Sequence, residues 1–475
     1  ALVFGSVVYA VPQVQADNQR PDFVAGEIIV KFESDEAPFQ VVQVARGQEV
    51  QAVQAFQQRP DVVYAEPNYI VQALGSNDTY YANQWALHNI GQTIVNGFGT
   101  ALGNGTADAD VDWEEGWNGY STVSFSLVTV AIVDSGVDEA HPDLNDKLVA
   151  GWDFVDDDNN PHDIYGHGTH VAGIAAAETN NAIGIAGVAF PVNVKIMPVR
   201  VLNGDGFGST SNVALGIRWA ADHGAKAINL SLGRRQDTNT MRDAVNYAWE
   251  KGAVLAAAAG NDGGGAKYYP ASYPNVMSVA ATDYNDNTAS FSNFNSEVDI
   301  SAPGVNVYST FPTYIFTIGT KYGRSKNYDV GSGTSMSTPH AAGLAALLFA
   351  QDNTRNNATV RNIIESTADD RGNAGWDTHY GWGRINAFSA LSYTVIPPAT
   401  GTISGTVTDA VTLSPVSGAT VTSGIRSAIT DITGAYTLAN VPEGTHIVTA
   451  SATGYQNASQ SVTVTENSTS TANFS

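Results

Sequence analysis

Between residues 77 and 393, short apolar runs of strand length alternate with longer helical stretches, and this alternation limits the fold more than any other feature. Val128 to Val133, Lys195 to Val199, Ala227 to Leu230 and Ala253 to Ala257 read as strands. Ser211 to His223 and Thr240 to Lys251 read as helices between them. Strands covered on both faces lose the apolar–polar alternation and become near-continuous apolar runs, and parallel neighbours need helical crossovers. The expectation is an α/β fold, a parallel sheet with helices on both faces. In such sheets the working residues gather at the carboxyl ends of the strands. Asp134 directly follows one predicted strand, and Asn261 closely follows another.

Three segments add chemistry to that frame. Val130-Ala131-Ile132-Val133-Asp134-Ser135-Gly136 supplies a carboxylate. Gly166-His167-Gly168-Thr169-His170-Val171-Ala172-Gly173 supplies an imidazole, and Gly333-Thr334-Ser335-Met336-Ser337-Thr338-Pro339-His340 a hydroxyl. A serine hydroxyl is a weak nucleophile until a base takes its proton. His167 is the candidate base, Ser335 the nucleophile, and Asp134 the group that fixes the imidazole tautomer and stabilises the imidazolium. The order Asp, His, Ser separates one of several unrelated solutions to this chemistry from the others. Ser335 precedes an apolar helix, Met336 to Ala350, so its backbone N–H lies where a helix N-terminus favours negative charge. Asn261, at the end of Ala256-Ala257-Ala258-Ala259-Gly260-Asn261, is the second candidate donor to an oxyanion. His141, His170 and His340 are read as structural. His167 and His170 stand at helical spacing, but no His-Glu-x-x-His follows and zinc is not expected.

The net charge of −24 argues against nucleic-acid or anionic-membrane partners. The absence of cysteine excludes disulfides, zinc–thiolate sites and a cysteine nucleophile. Leu2 to Val11 is apolar and Val14-Gln15-Ala16 has the small residues of a signal-peptidase site, so residues 1–16 are expected to be a signal remnant and the protein to be secreted. No later run is long and charge-free enough to span a bilayer.

The three catalytic segments together resemble the subtilase family, most closely its thermitase- and fervidolysin-like branch. That resemblance implies the subtilisin α/β fold over residues 77–393 and a serine endopeptidase acting on protein or peptide substrates through an acyl-enzyme. Gly206-Phe207-Gly208 and Ser231-Leu232-Gly233 resemble the two segments that hold a substrate as an added strand. Ala258, Ala259 and Gly260 would wall the pocket for the residue before the scissile bond, implying an apolar or broad preference there. Arg234 stands where a small residue is common. The rival reading is a binding or adhesion protein on an inactive scaffold of the same family.

Calcium is the implied cofactor, at two places. Asp153, Asp156, Asp158 and Asn160 cluster in a loop resembling the thermitase-type calcium loop, and clustered oxygens suit a hard cation. Asp143, Asp78, Asn181 and the carbonyls of Thr179, Ile183 and Ile185 resemble the high-affinity subtilase site.

Flanking segments complete the organisation. Residues 17–76 contain three strand-like runs and one helical run, and Val63-Tyr64-Ala65-Glu66-Pro67-Asn68-Tyr69 resembles a subtilase propeptide. It implies a small α+β inhibitor and folding domain, bound in cis and removed by cleavage within residues 72–77, with Leu74 before the bond and Val71 as an apolar outer contact. Residues 394–401 read as a linker. Residues 402–475 form short alternating strands between turns, a small all-β sandwich resembling carboxypeptidase regulatory-like domains. The protein is expected to act as a monomer.

Overall fold

The computed structural model describes residues 23–33, 39–45, 47–69, 75–393, 400–424 and 426–475. The expected signal remnant (1–16), Val71, Leu74 and residues 394–399 of the expected linker lie outside them.

The first described segment is a three-stranded antiparallel sheet with one helix. Strands β1 (Phe23–Phe32), β2 (Gln40–Gln43) and β3 (Val62–Tyr69) are ordered β2-β1-β3, and α1 (Glu49–Gln57) joins β2 to β3. Ile28 and Val30 alternate inward from β1 and meet Val53 of α1 and Ala65 of β3 in a small core.

The middle of the chain begins with the hairpin β4 (Thr93–Val95) and β5 (Ala101–Asn104), then α2 (Trp113–Tyr120). It then runs β6 (Val128–Asp134), β7 (Trp152–Asp153), α3 (His167–Ala176), β8 (Val194–Arg200), α4 (Thr210–Asp222), β9 (Ala227–Leu230), α5 (Asn239–Glu250) and β10 (Val254–Ala258). Next come β11 (Met277–Thr282), β12 (Ile300–Pro303), β13 (Val307–Phe311), α6 (Thr317–Tyr322), β14 (Asn327–Gly331), α7 (Thr334–Gln351), α8 (Asn357–Ser366) and α9 (Ala387–Ser392). Seven strands form one parallel sheet in the order β12-β11-β10-β9-β6-β8-β7. Successive residues of a strand face opposite sides. Val130 and Ile132 of β6 therefore join one core with α3 and α7, while Ala131 and Val133 join the other with α4 and α5. The expected α/β architecture with helices on both faces is present.

Chain order reverses around β6, whose neighbours are β8 and β9. Crevices open at the carboxyl ends of strands where this happens. Helix α7 is buried from Thr334 to Ala350 except at Ser335. Its close approach to α3 needs Gly343: a Cβ there would stand 2.5 Å from the carbonyl oxygen of Ala175.

Residues from Thr394 onward form a second compact unit. Its strands are β15 (Thr400–Thr406), β16 (Thr420–Ser423), β17 (Arg426–Ile429), β18 (Ala435–Pro442), β19 (Gly444–Ser451), β20 (Ala458–Val464) and β21 (Thr469–Thr471). They make two sheets, β18-β15-β21 and β17-β16-β19-β20, around a core that includes Ile403, Val421, Leu438 and Val448. Strand β15 starts two residues inside the expected linker because Thr400 and Gly401 pair with Pro442 and Val441 of β18. Among the described residues no helix is long and apolar enough to cross a membrane.

Candidate active site

Asp134 is the last residue of β6 and fully buried. Its Oδ1 accepts from the Ser135 N–H at 2.7 Å and from His167 Nδ1 at 2.8 Å. A carboxylate only accepts, so the His167 proton sits on Nδ1 and Nε2 presents its lone pair. His167 opens α3, behind Gly166 at φ 101°. The turn brings α3 so near β6 that a Cβ on Gly168 would stand 2.1 Å from the carbonyl oxygen of Gly136. Burial opposes the charged imidazolium of His167, but Asp134, by charge and hydrogen bond, and Asp163 outweigh it and hold its pKa above the usual histidine value.

Asp163 was not singled out from sequence. It is fully buried and organises the segment around His167. Its carboxylate accepts from the Gly166 N–H (2.7 Å), the Thr169 N–H (2.9 Å) and hydroxyl (2.6 Å), and the Ser135 hydroxyl (2.8 Å). The Ser135 oxygen in turn accepts from the Gly168 N–H.

Ser335 lies in the first turn of α7, where a backbone N–H has no intrahelical acceptor. Its hydroxyl donates to the Ser231 carbonyl at 3.1 Å and is not hydrogen-bonded to His167. Asn261 follows β10, and its Oδ1 accepts from both the N–H and the hydroxyl of Thr334, each at 2.9 Å. That lock leaves the Asn261 Nδ2 as the free donor beside Ser335. Asp134, His167, Ser335 and Asn261 thus arrive from β6, α3, α7 and the end of β10 at one crevice.

On one side of His167 a cleft of about 560 Å³ runs between Gly206-Phe207-Gly208 and Ser231-Leu232-Gly233. Arg234 bridges its walls, donating to Thr210 Oγ1 and Gln236 Oε1. Ala258 and Ala259 are buried. The ring of Tyr268, also missed from sequence, lies 3.3 Å from a Cβ built on Gly233 and 2.9 Å from one on Gly260. It therefore stands between those two segments. On the other side of Ser335 a second hollow is lined by Phe311, Ile318, Tyr322, Arg324 and Met336.

The two acidic loops differ. Asp78 Oδ1 accepts from the Asn181 N–H at 3.0 Å, and Asn181 Nδ2 donates to Asp143 Oδ1 at 2.9 Å. Burial pushes the Asp143 pKa up to about 7, and burial raises that of Asp78. In the other loop, Arg200 is ion-paired with Asp153 at 2.5 Å and Asp156 at 2.6 Å, while Asp158 accepts from the Asn160 N–H. Among the described residues no three His, Asp or Glu side chains converge as a metal cluster. Three further histidines, His141, His170 and His340, are buried. His141 Nε2 contacts the Asn327 carbonyl, His340 Nδ1 contacts the Met336 carbonyl, and His170 packs on Phe311. Burial lowers their pKa values, to about 3 for His170 and about 4 for His340.

Residues 126–383 match the model of the subtilase family, and residues 402–475 that of the carboxypeptidase regulatory-like domain. The chain is 41% identical over 408 residues to the thermophilic serine proteinase of Bacillus sp. (strain AK1), covering 81% of this chain and 91% of that protein. It is 50% identical over 264 residues to thermitase of Thermoactinomyces vulgaris, covering 56% of this chain and 88% of the relative. A solved protease structure from Pseudoalteromonas arctica superposes with a TM-score of 0.56 at 30% identity, covering 67% of this chain and 99% of that one.

Proposed function

The chain belongs to the subtilase family and is a subtilisin-like serine endopeptidase; from that premise we propose that Asp134, His167, Ser335 and Asn261 carry its chemistry in a secreted, calcium-stabilised enzyme made as a zymogen. The observation that carries the reading is the 2.8 Å bond between His167 Nδ1 and Asp134 Oδ1, which aims a basic Nε2 into the crevice holding Ser335. The Ser335 hydroxyl leaves the Ser231 carbonyl and gives its proton to His167 Nε2 as its oxygen attacks the scissile carbonyl carbon. The resulting oxyanion accepts from the Ser335 N–H and from Asn261 Nδ2. Imidazolium His167 protonates the leaving amine, and water then releases the acyl group by the same route in reverse.

Substrate backbone adds as a strand along Ser231-Leu232-Gly233 and Gly206-Phe207-Gly208. The small walls at Ala258, Ala259 and Gly260, with the Tyr268 ring, favour an apolar or undemanding residue before the cut.

For calcium, the residues around Asp143 fit. Two buried carboxylates and the Asn181 amide share one corner, and the charge of Asp78 adds to the desolvation cost at Asp143. Asp78, Asp143, Asn181 and the carbonyls of Thr179, Ile183 and Ile185 would hold the ion, whose charge there would stabilise the folded state by linkage. The loop of Asp153, Asp156, Asp158 and Asn160 fits less well, because Arg200 already neutralises two of its carboxylates.

Residues 17–76 act as the cis propeptide, and residues 402–475 as an accessory domain. Intact-mass analysis of wild type and Ser335→Ala, incubated with calcium, tests the reading. Wild type is expected to lose the stretch ending within residues 72–77 while the variant stays whole. Equal processing of both, or of neither, would count against self-maturation by Ser335.

A further inference from the structure

Each side of the active-site crevice carries one arginine, and the two are engaged differently. On the side running past Gly206 and Ser231, Arg234 is hydrogen-bonded to Thr210 and Gln236. The opposite side, where the residues after the scissile bond must leave, is lined by Phe311, Ile318, Tyr322 and Met336 around a single permanent charge, Arg324.

Arg324 sits in the connection between β13 and β14, just after the left-handed turn at Gly323, φ 67°. That connection is docked rather than loose. The N–H groups of Thr317 and Ile318 donate to the carbonyls of Ile164 and Tyr165, in the segment leading to His167, both at 3.1 Å. Phe316 stacks on Phe311 with ring centroids 5.1 Å apart, beneath Gly166. The element bearing Arg324 is therefore fixed relative to the catalytic base.

The guanidinium is also underused. It forms a long ion pair with the buried Asp329 at 3.9 Å, beyond hydrogen-bond range. The Asp329 carboxylate is already engaged by the backbone N–H groups of Ser325 and Val330, both at 2.7 Å. Arg324 makes no hydrogen bond to any described residue, and its side chain is 25% exposed. No acidic residue lines this hollow. In a chain of net charge −24, an arginine that lines the same hollow as Ser335 with its hydrogen-bond donors unused is a selective feature.

We propose that Arg324 is a specificity-determining residue that favours substrates carrying an acidic residue immediately after the scissile bond. This rests on the peptidase reading above and adds the substrate class. A carboxylate there meets the guanidinium in a charge-assisted contact, whereas a lysine is repelled. Part of the gain is expressed in KM, because the contact exists before and during the reaction.

The test uses internally quenched peptides identical before the cut and bearing Asp, Ala or Lys just after it. It adds thermal unfolding of every variant as a check on the fold. Wild type is expected to cleave the Asp peptide about fivefold better than the Lys peptide, with the ratio shrinking at high salt. Arg324→Gln should bring the ratio to one, Arg324→Glu should invert it, and Arg324→Lys should keep part of it. All should unfold at the wild-type temperature. An unchanged Asp/Lys ratio in Arg324→Gln would overturn the proposal. So would equal loss on all three peptides with a lowered unfolding temperature, which would make Arg324 structural. Failure of wild type itself on every substrate would instead remove the peptidase reading beneath it.

Discussion

The parallel-sheet unit and the C-terminal β unit bury their residues to different ends. In the first, charged groups are fully sequestered: Asp134, Asp143, Asp163 and Arg384 have no exposure. In the second, the core is apolar, and its buried polar side chains are Ser423 and Thr430. Thr430 is spent on turn geometry, its hydroxyl donating to the Val416 carbonyl and accepting from the Ala419 N–H. Burying a charge is costly unless it is paired or hydrogen-bonded, so a fold keeps one where it does something. The difference fits chemistry seated in the sheet unit, since among the described residues the β unit buries no charged side chain.

The comparison breaks first at Ser335 and His167. Ser335→Ala or His167→Ala should lower kcat by about 10⁶-fold, read by peptide hydrolysis, with little change in thermal unfolding. Residual activity near wild type would mean that the buried charge network is architecture only. Asn261→Ala comes next. Loss of one oxyanion donor should reduce kcat by about 10²–10³-fold with KM nearly unchanged.

A smaller effect is the pH profile. His167 must be neutral to accept the Ser335 proton, and its pKa is raised, so the acid limb of kcat/KM should lie above the ordinary imidazole range. Asp134→Asn should move that limb down. For stability, the folded state binds this proton more tightly than the unfolded chain. The contribution is full below the unfolded-state pKa and is lost as pH rises through that of folded His167.

The smallest expected effect on catalysis comes from the β unit. Ile403→Ala should destabilise that unit by about 2–5 kcal/mol in calorimetry, leaving kcat/KM on a short peptide unchanged. A matching loss of activity would show that the two units are not chemically separate.

The segments proposed to carry the triad were legible as local structure because each is a strand end or a helix start. A strand ends in Asp134, a glycine turn opens a helix at His167, and small residues start a helix around Ser335. Strand ends could be read where apolar runs stop. What escaped was tertiary. Asp163 works by collecting donors from Ser135, Gly166 and Thr169, and no spacing rule announces that. Tyr268 lies between segments ending in Gly233 and Gly260 that are distant in sequence. The pairing of Arg200 with Asp153 and Asp156 arises because β7 lies beside β8 in the sheet.

The most direct test of the central claim is labelling with a serine-directed fluorophosphonate, followed by peptide mapping. The account predicts one adduct, on Ser335, in wild type, and its loss in His167→Ala, where no base activates the hydroxyl. An adduct on a different serine, or equally fast labelling in His167→Ala, would contradict it.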